Sequence, residues 1–153
     1  MSRPYSIKCL SQTFFSDYGS SEYPEIEHKP NRPYIVLTVR IGDNYFAIPF
    51  RTTMPHKNGY LFENTGRKTN GQSGVDFSKA VIVNNDAYLG ADAKIDEIEY
   101  RELSRKYKFI IQKFETYVQN YIKVATGAIV DTYVAKRYQY CTLQYFHKEL
   151  GIA

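Results

Sequence analysis

The segment PYIVLTVRIGDNYFAIPFR constrains the fold more than any other part of the chain. Residues 34 to 41 and 45 to 50 are rich in β-branched and aromatic side chains, which favour strands. The intervening Gly-Asp-Asn at positions 42 to 44 readily adopts the backbone conformations of a tight turn. The segment therefore predicts an antiparallel hairpin, and with it a fold organised around an antiparallel sheet.

Two further patterns divide the chain into a strand-rich part and a helical part. Residues 5 to 11 and the run SKAVIVN, residues 78 to 84, have the apolar patterns of strands. Starting near Ile98, apolar residues recur every three or four positions, which indicates one long amphipathic helix that stops near Gly127. A second helical pattern covers residues 133 to 150.

Strands followed by helices are typical of an α+β domain. The run KIDEIEY at the border is compatible with a last strand or with the approach to the helix. The chain of 153 residues has the length of one domain, and its 43% apolar and 24% charged residues are ordinary for a globular protein. We expect one domain in which a twisted, bent antiparallel sheet, from about residues 1 to 98, packs with helices from about residues 99 to 153.

The composition argues against several classes of protein. Cys9 and Cys141 lie far apart and share no metal-ligand spacing with the histidines, so we expect reduced thiols and no zinc site. No run approaches the roughly 20 apolar residues of a transmembrane helix. The N-terminal sequence MSRPYSIKCLSQTFF lacks the apolar core of a signal peptide, which favours the cytoplasm. The net charge of +4 indicates a mild preference for an anionic partner.

The stretch IPFRTTMPHKNGY concentrates side chains that can handle a phosphate group. It leaves an apolar strand and then places these polar residues beside one another: Arg51, Thr52, Thr53, His56 and Lys57. Threonine hydroxyls and the arginine fork hydrogen-bond phosphate oxygens, lysine neutralises charge, and imidazole moves protons near neutral pH. These groups suit attack by an RNA 2′-hydroxyl on its adjacent phosphate. The alternative is a solvated basic turn whose threonines bond to the local backbone.

Two other regions supply candidate residues. In the glycine-rich run GRKTNGQSG, Arg67 and Lys68 can clamp a nucleic-acid backbone, although the run is equally compatible with a flexible loop and lacks the Walker pattern. In GVDFSKAVI, Asp76 and Ser78 lie where a loop enters a strand. Asp76 can orient a neighbouring side chain there, or it can be an ordinary turn residue.

The long helix has a basic face. Between Arg105 and Lys123 there are five basic residues and one acid, Glu115. Arg101, Arg105 and Lys108 are three or four positions apart and therefore share a face. Such a face is often merely solvated, but together with the loop cations it predicts one positive surface for RNA.

Three segments in this order resemble the toxins of type III toxin–antitoxin systems: NRPYIVLTVRIGDNYFAIPFRTTMPHKNGYLF, GVDFSKAVIV and YRELSRKYKFIIQKFETYVQNYI. These toxins form the ToxN/AbiQ superfamily, and the CptN or TenpN branch is the most similar. The resemblance covers about residues 31 to 122. It implies a bent antiparallel sheet with flanking helices, similar to the Kid/MazF toxin fold. It also implies a metal-independent, sequence-specific endoribonuclease, without cofactor, that leaves 2′,3′-cyclic phosphate and 5′-hydroxyl ends.

The resemblance further implies RNA partners. The antitoxin of such a system is a small repeated RNA folded as a pseudoknot. The toxin cuts it from its precursor and holds it in a closed RNA–protein assembly, and free toxin cuts cellular RNA. These systems are bacterial and cytoplasmic, involve no membrane, and several abort phage infection.

The resemblance assigns roles to residues of the loop. The family pairs a hydroxyl residue with a lysine around a proline; here these are Thr52 or Thr53 and Lys57, with Tyr34 on the preceding strand nearby. The run TTMPHK replaces a shorter Thr-Ser-Pro-Lys type run, which adds His56 as a candidate.

Contacts to the RNA are expected from residues outside the loop: Arg67, Lys68, Ser78, Lys79, Arg105, Lys106 and Lys108. Two other functions fit the same residues. One is a non-catalytic RNA-binding module with the same basic surface. The other is a protein-interaction domain whose tyrosines, 15 in the chain, face a protein partner.

Overall fold

The fold is known from a computed structural model that describes residues 5–26, 34–67 and 71–152. The strands in these ranges are β1 (Tyr5–Leu10), β2 (Ile35–Ile41), β3 (Asn44–Arg51), β4 (Gly59–Leu61), β5 (Gly74–Asp76), β6 (Val81–Ile82) and β7 (Leu89–Asp92). The α-helices are α1 (Gln12–Asp17), α2 (Glu97–Ala125) and α3 (Thr132–Lys136). Short 3₁₀ turns occur at Phe77–Lys79, Asp86–Tyr88 and Thr142–Tyr145. The chain is therefore an α+β domain, as predicted.

Strand β3 is the strand on which the sheet is organised. The strand order is β4-β5-β3-β2-β1-β7, with β6 also paired to β3, and every ladder between described strands is antiparallel. Strand β3 pairs with β5 at Phe50–Val75 and with β6 at Ala47–Val81. These two pairs are three residues apart on β3 but six residues apart on the segment that contains β5 and β6. The additional residues form the 3₁₀ turn Phe77–Lys79, which leaves the ladder beside the last residues of β3.

The predicted hairpin is confirmed. Strands β2 and β3 pair from Val36 opposite Pro49 to Ile41 opposite Asn44. Gly42 in the connecting turn has a φ of +61°, the left-handed conformation that glycine adopts without steric cost. The hairpin therefore fixes where β3 ends and where the loop after it begins.

The predicted long helix is also confirmed, and it covers one face of the sheet. Its apolar stripe is buried, and the Phe114 ring meets the rings of Phe46 and Phe77, each with centroids 5.1 Å apart. The helix begins at Asp96, whose carboxylate accepts backbone N–H groups of the first turn, and it stops before Gly127 at φ +83°. The run KIDEIEY is thus the start of the helix and not a strand.

The predicted C-terminal helix over residues 133 to 150 is wrong. The segment contains only α3 and a 3₁₀ turn. The Thr142 hydroxyl donates to the carbonyl groups of Ser78 and Ala80, so this part of the chain is tied to the turn beside β3. Contacts of that kind, between residues far apart in sequence, outweigh the local helical pattern.

Helix α1 and strands β4, β5 and β7 were not predicted from the sequence. Strands β4 and β5 have three residues each and lie so close together that glycine is required in both. A Cβ atom at Gly59 would lie 2.1 Å from the Val75 carbonyl oxygen, and one at Gly74 would lie 2.4 Å from that of Tyr60. Glycine-containing segments of this length have no strand periodicity.

No helix in the described ranges is long and apolar enough to cross a bilayer.

We expect Phe114→Ala to lower the free energy of unfolding by about 3–5 kcal/mol, because it leaves a cavity between α2 and the sheet. Phe109 on the same helix provides the matched control, since its side chain is 57% exposed while that of Phe114 is 0% exposed. Phe109→Ala should cost about 1 kcal/mol or less. Urea unfolding measures both, and equal losses would contradict the assigned face of α2.

Candidate active site at the end of strand β3

The loop that follows β3 carries the candidate catalytic side chains. Residues 52 to 58 have no regular secondary structure, as predicted, and β4 begins at Gly59. The loop is anchored in the middle by Met54, whose side chain is buried and whose N–H donates to the Gln72 carbonyl at 2.8 Å. A fixed loop at a strand end is a common setting for reactive residues.

Asp76, the last residue of β5, is the anchor of the site. Its side chain is 0% exposed, yet it is fully hydrogen-bonded. Oδ1 accepts from the Ser78 N–H at 3.0 Å and the Ser78 hydroxyl at 2.6 Å, and Oδ2 accepts from Arg51 Nη1 at 3.2 Å. A buried carboxylate requires such partners, so Asp76 binds the end of β3 to the 3₁₀ turn.

His56 lies on top of this cluster. Its Nε2 is 3.1 Å from the Ser78 hydroxyl oxygen and 3.3 Å from Asp76 Oδ1. Its Nδ1 accepts the Asn58 backbone N–H at 3.0 Å. Because a backbone N–H can only donate, the neutral ring carries its proton on Nε2 and directs it toward Ser78 and Asp76. The result is a chain of polar contacts from His56 through Ser78 to Asp76 and Arg51.

Three predicted catalytic side chains face solvent beside this cluster. Thr52, Thr53 and Lys57 are exposed, and their side chains make no hydrogen bond or ion pair within the described part of the chain. Thr53 is the more confined threonine, because a Cβ atom at Gly71 would lie 2.6 Å from its Cγ2. The loop therefore presents two hydroxyls and an ammonium group in the same stretch as the half-buried imidazole of His56, which contacts the buried carboxylate of Asp76.

Tyr34 lies at the same end of the sheet. It immediately precedes β2, and the pairing of Val36 with Pro49 brings it alongside the end of β3. The side chain is buried, and its ring meets Phe15 edge to face at 5.5 Å. Tyr34 thus lies in the strand region next to the end of β3, with its ring packed against α1.

The residues predicted to contact RNA fall into different environments. Arg67 Nε lies 3.5 Å from Glu99 Oε2, and Lys79 Nζ donates to the Glu25 carbonyl at 3.0 Å. Lys106 forms an ion pair with Glu63.

The other predicted RNA contacts differ in exposure. Arg105 and Lys108 are exposed on α2, and Ser78 is buried beneath His56. Lys68 lies outside the described residues. The structure therefore brings Ser78 into the cluster around Asp76 and keeps Arg105 and Lys108 on a separate helix face.

Acids at the start of α2 hold the chain on both sides of residues 68–70, which the sequence reasoning missed. Glu102 is buried and accepts from the Tyr60 hydroxyl and from the N–H of Glu63 at 3.0 Å. Burial, and secondarily this hydrogen bond to Glu102, raise the pKa of Tyr60 well above its usual value. Glu102 therefore fixes the end of β4 and the residues that follow it.

Two more acids of the same helix complete this attachment. Glu99 is buried and accepts from the hydroxyls of Thr65 at 2.6 Å and Ser73 at 3.1 Å. The Gly66 N–H donates to Asp96 at 2.9 Å and lowers the pKa of that carboxyl. Asp96, Glu99 and Glu102 are spaced three residues apart, which places them near one another on a helix. This spacing is the sequence pattern from which the acidic cluster could have been predicted.

Comparison with known proteins leaves the site to be interpreted from its own geometry. The chain matches no family model, no curated protein and no solved structure. In the described ranges, no three His, Cys, Asp or Glu side chains are grouped as metal ligands would be. The candidate site consists of the loop after β3, with two exposed hydroxyls and a lysine, and of a cluster in which His56 and Arg51 contact the buried Asp76 and Ser78.

We expect Asp76→Asn to lower the free energy of unfolding by about 2–4 kcal/mol, because it removes the charge that Arg51 and His56 face in a buried position. Asp86→Asn is the matched control, since Asp86 is an exposed aspartate at the start of another 3₁₀ turn. It should change stability by less than about 0.5 kcal/mol. Urea unfolding compares the two, and a neutral Asp76→Asn would show that the cluster is not an anchor.

Proposed function

We propose that the protein is a metal-independent, sequence-specific endoribonuclease toxin of a bacterial type III toxin–antitoxin system. The observation that carries the proposal is the contact of Arg51 and His56 with Asp76 at the end of β3, in the same stretch as the exposed Thr52, Thr53 and Lys57. We further propose that the bent sheet is of the Kid/MazF type, and that a repeated pseudoknot RNA is both processed and bound as antitoxin in a closed assembly in the cytoplasm. The order of the three sequence segments that resemble this family supports the same conclusion.

The proposed reaction needs no group beyond RNA and these side chains. The ribose 2′-oxygen loses its proton to the base and attacks the adjacent phosphorus while the bond from phosphorus to the 5′-oxygen breaks. The protonated base or water returns a proton to the leaving 5′-oxygen, so the products are a 2′,3′-cyclic phosphate and a 5′-hydroxyl. Lys57 and a threonine hydroxyl donate to the phosphorane oxygens as negative charge develops there. Arg51, held by Asp76 at 3.2 Å, positions the phosphate.

His56 is assigned the role of general base in this reaction. Its Nε2–H is directed toward Asp76 and Ser78, so Nδ1 is the nitrogen with a lone pair for the 2′-hydroxyl proton. Nδ1 accepts the Asn58 N–H at 3.0 Å, and RNA binding has to replace that one local bond. Asp76 then stabilises the imidazolium that forms, in the way a buried carboxylate supports a catalytic histidine.

Lys57→Ala should abolish growth arrest on expression in a bacterial host and reduce RNA cleavage in vitro about 100- to 1,000-fold. The side chain is exposed, so the melting temperature should not change. Lys94→Ala is the control, because Lys94 is an exposed lysine that follows β7 at the opposite edge of the sheet. Undiminished cleavage by Lys57→Ala would remove Lys57 from the mechanism. The same assay on Thr52→Ala and Thr53→Ala identifies the catalytic hydroxyl.

His56→Gln tests the assigned base without destroying the cluster. The glutamine amide can donate to Asp76 as the ring Nε2–H does, but it has no titratable nitrogen. We expect cleavage to fall about 100- to 10,000-fold and the rising limb of the rate–pH profile to disappear. A variant that keeps both the rate and the limb would assign proton abstraction to another group and leave His56 a positioning role.

A non-catalytic RNA-binding module is the second candidate. It is favoured by Arg105 and Lys108, which are exposed on α2 and form no ion pair with a described carboxylate. Purified protein that binds RNA with strong salt dependence but leaves it uncut would support this function. Co-expression with a tandem-repeat RNA from the same locus should relieve growth arrest only if the toxin proposal holds.

A further inference from the structure

The segment between α2 and the last 3₁₀ turn exposes large apolar side chains close to the site. Val130 is 84% exposed, Tyr133 is 73% exposed and Tyr140 is 64% exposed. In contrast, Tyr138 in the same segment is buried, and its hydroxyl donates to the Tyr117 carbonyl at 3.3 Å. The segment is thus packed on one side and presents aromatic rings to solvent on the other.

This segment is attached directly to the candidate active site. The Asn58 side-chain amide donates to the Arg137 carbonyl at 3.4 Å, and the Asn58 N–H is the same group that bonds His56 Nδ1. Further along, the Thr142 hydroxyl donates to the Ser78 carbonyl at 3.2 Å. The C-terminal part of the segment and the turn that follows it therefore touch residues that hold the imidazole, and Tyr133 lies one helical turn before Arg137.

Tyr133 is held in place by a cation. The Arg137 guanidinium lies over its ring at 5.6 Å from the ring centre, a cation–π contact. Lys136 and Arg137 are exposed and form no ion pair with a described carboxylate. The nearby acid, Asp131, is used as the cap of α3 and accepts the Tyr133 N–H at 2.8 Å. The surface thus combines an accessible ring with two uncompensated positive charges.

We infer that Tyr133, oriented by Arg137, stacks on an unpaired base of single-stranded RNA beside the scissile phosphate. Lys136 and Arg137 then contact the phosphates that flank this base. An exposed aromatic ring bordered by cations suits a nucleotide, which offers a π-face and a negative charge together. The inference rests on the proposed function, because it places the base next to the residues assigned to RNA cleavage.

The chain contains a matched control for this arrangement. Tyr45 is also exposed, and the Arg40 guanidinium lies over its ring at 5.4 Å from the centre. Tyr45 is near the beginning of β3 and Arg51 is at its end, so the two lie about 20 Å apart along the strand. The Tyr45–Arg40 pair has the same chemistry as the Tyr133–Arg137 pair but is remote from the site.

The test is binding of a randomised pool of single-stranded RNA with 2′-fluoro nucleotides, measured by fluorescence anisotropy. This RNA lacks the attacking hydroxyl and stays uncut, so binding is separated from cleavage. We expect Tyr133→Ala to weaken binding about 10- to 100-fold, and Tyr133→Phe and Tyr45→Ala to bind as the unaltered protein does. Double-stranded RNA should bind Tyr133→Ala and the unaltered protein equally, because its bases are not available for stacking.

Less than a twofold loss by Tyr133→Ala on the single-stranded pool, or an equal loss on duplex RNA, would overturn the stacking assignment. Cleavage of unmodified RNA, measured in parallel, separates the two proposals. If Tyr133→Ala cleaves RNA as fast as the unaltered protein, the stacking inference is wrong and the nuclease proposal stands. Loss of binding in Tyr133→Ala with no cleavage by the unaltered protein supports the stacking site and overturns the nuclease. An unaltered protein that binds no RNA overturns both.

Discussion

The buried carboxylate of Asp76 is the interaction on which the rest of the site depends. A charge removed from water must be compensated, and Asp76 is compensated by Arg51 from β3, His56 from the following loop and Ser78 from the 3₁₀ turn. Three separate pieces of chain are thereby held at one point. The exposed hydroxyls and the lysine of the loop owe their positions to this cluster, because Asp76 fixes both sides of the loop from which they project.

Buried carboxylates also hold loop residues at the start of α2. Glu99 and Glu102 are buried and accept hydrogen bonds from the hydroxyls of Thr65 and Ser73 and from the N–H of Glu63. Helix α2 is in turn fixed to the sheet by Phe114. The loop after β3 and the described residues between β4 and β5 are therefore attached to rigid elements by buried carboxylates. This explains how a chain with so many polar loop residues can present a site of defined geometry.

Most of what the sequence predicted correctly is local and periodic. The hairpin and α2 each have a regular apolar pattern, and those patterns depend only on residues close in sequence. Strands β4 and β5 were missed because their glycines meet a distant backbone, and the C-terminal helix was wrong because Thr142 bonds to the turn beside β3. Within the candidate site, the stretch from Arg51 to Lys57 was recognised from residue types, whereas the partners of its side chains were not.

By itself, the sequence determined the α+β class, the central hairpin, the long helix and the stretch that carries the candidate catalytic groups. Tertiary structure decided that Asp76 and Ser78 lie beneath His56, that acids at the start of α2 hold Thr65, Gly66 and Ser73, and that the segment carrying Tyr133 is tied to Asn58 through Arg137. The physical reason is the range of the interactions. Strand and helix patterns come from neighbouring residues, while compensation of a buried charge depends on which distant side chains the fold brings within hydrogen-bond distance.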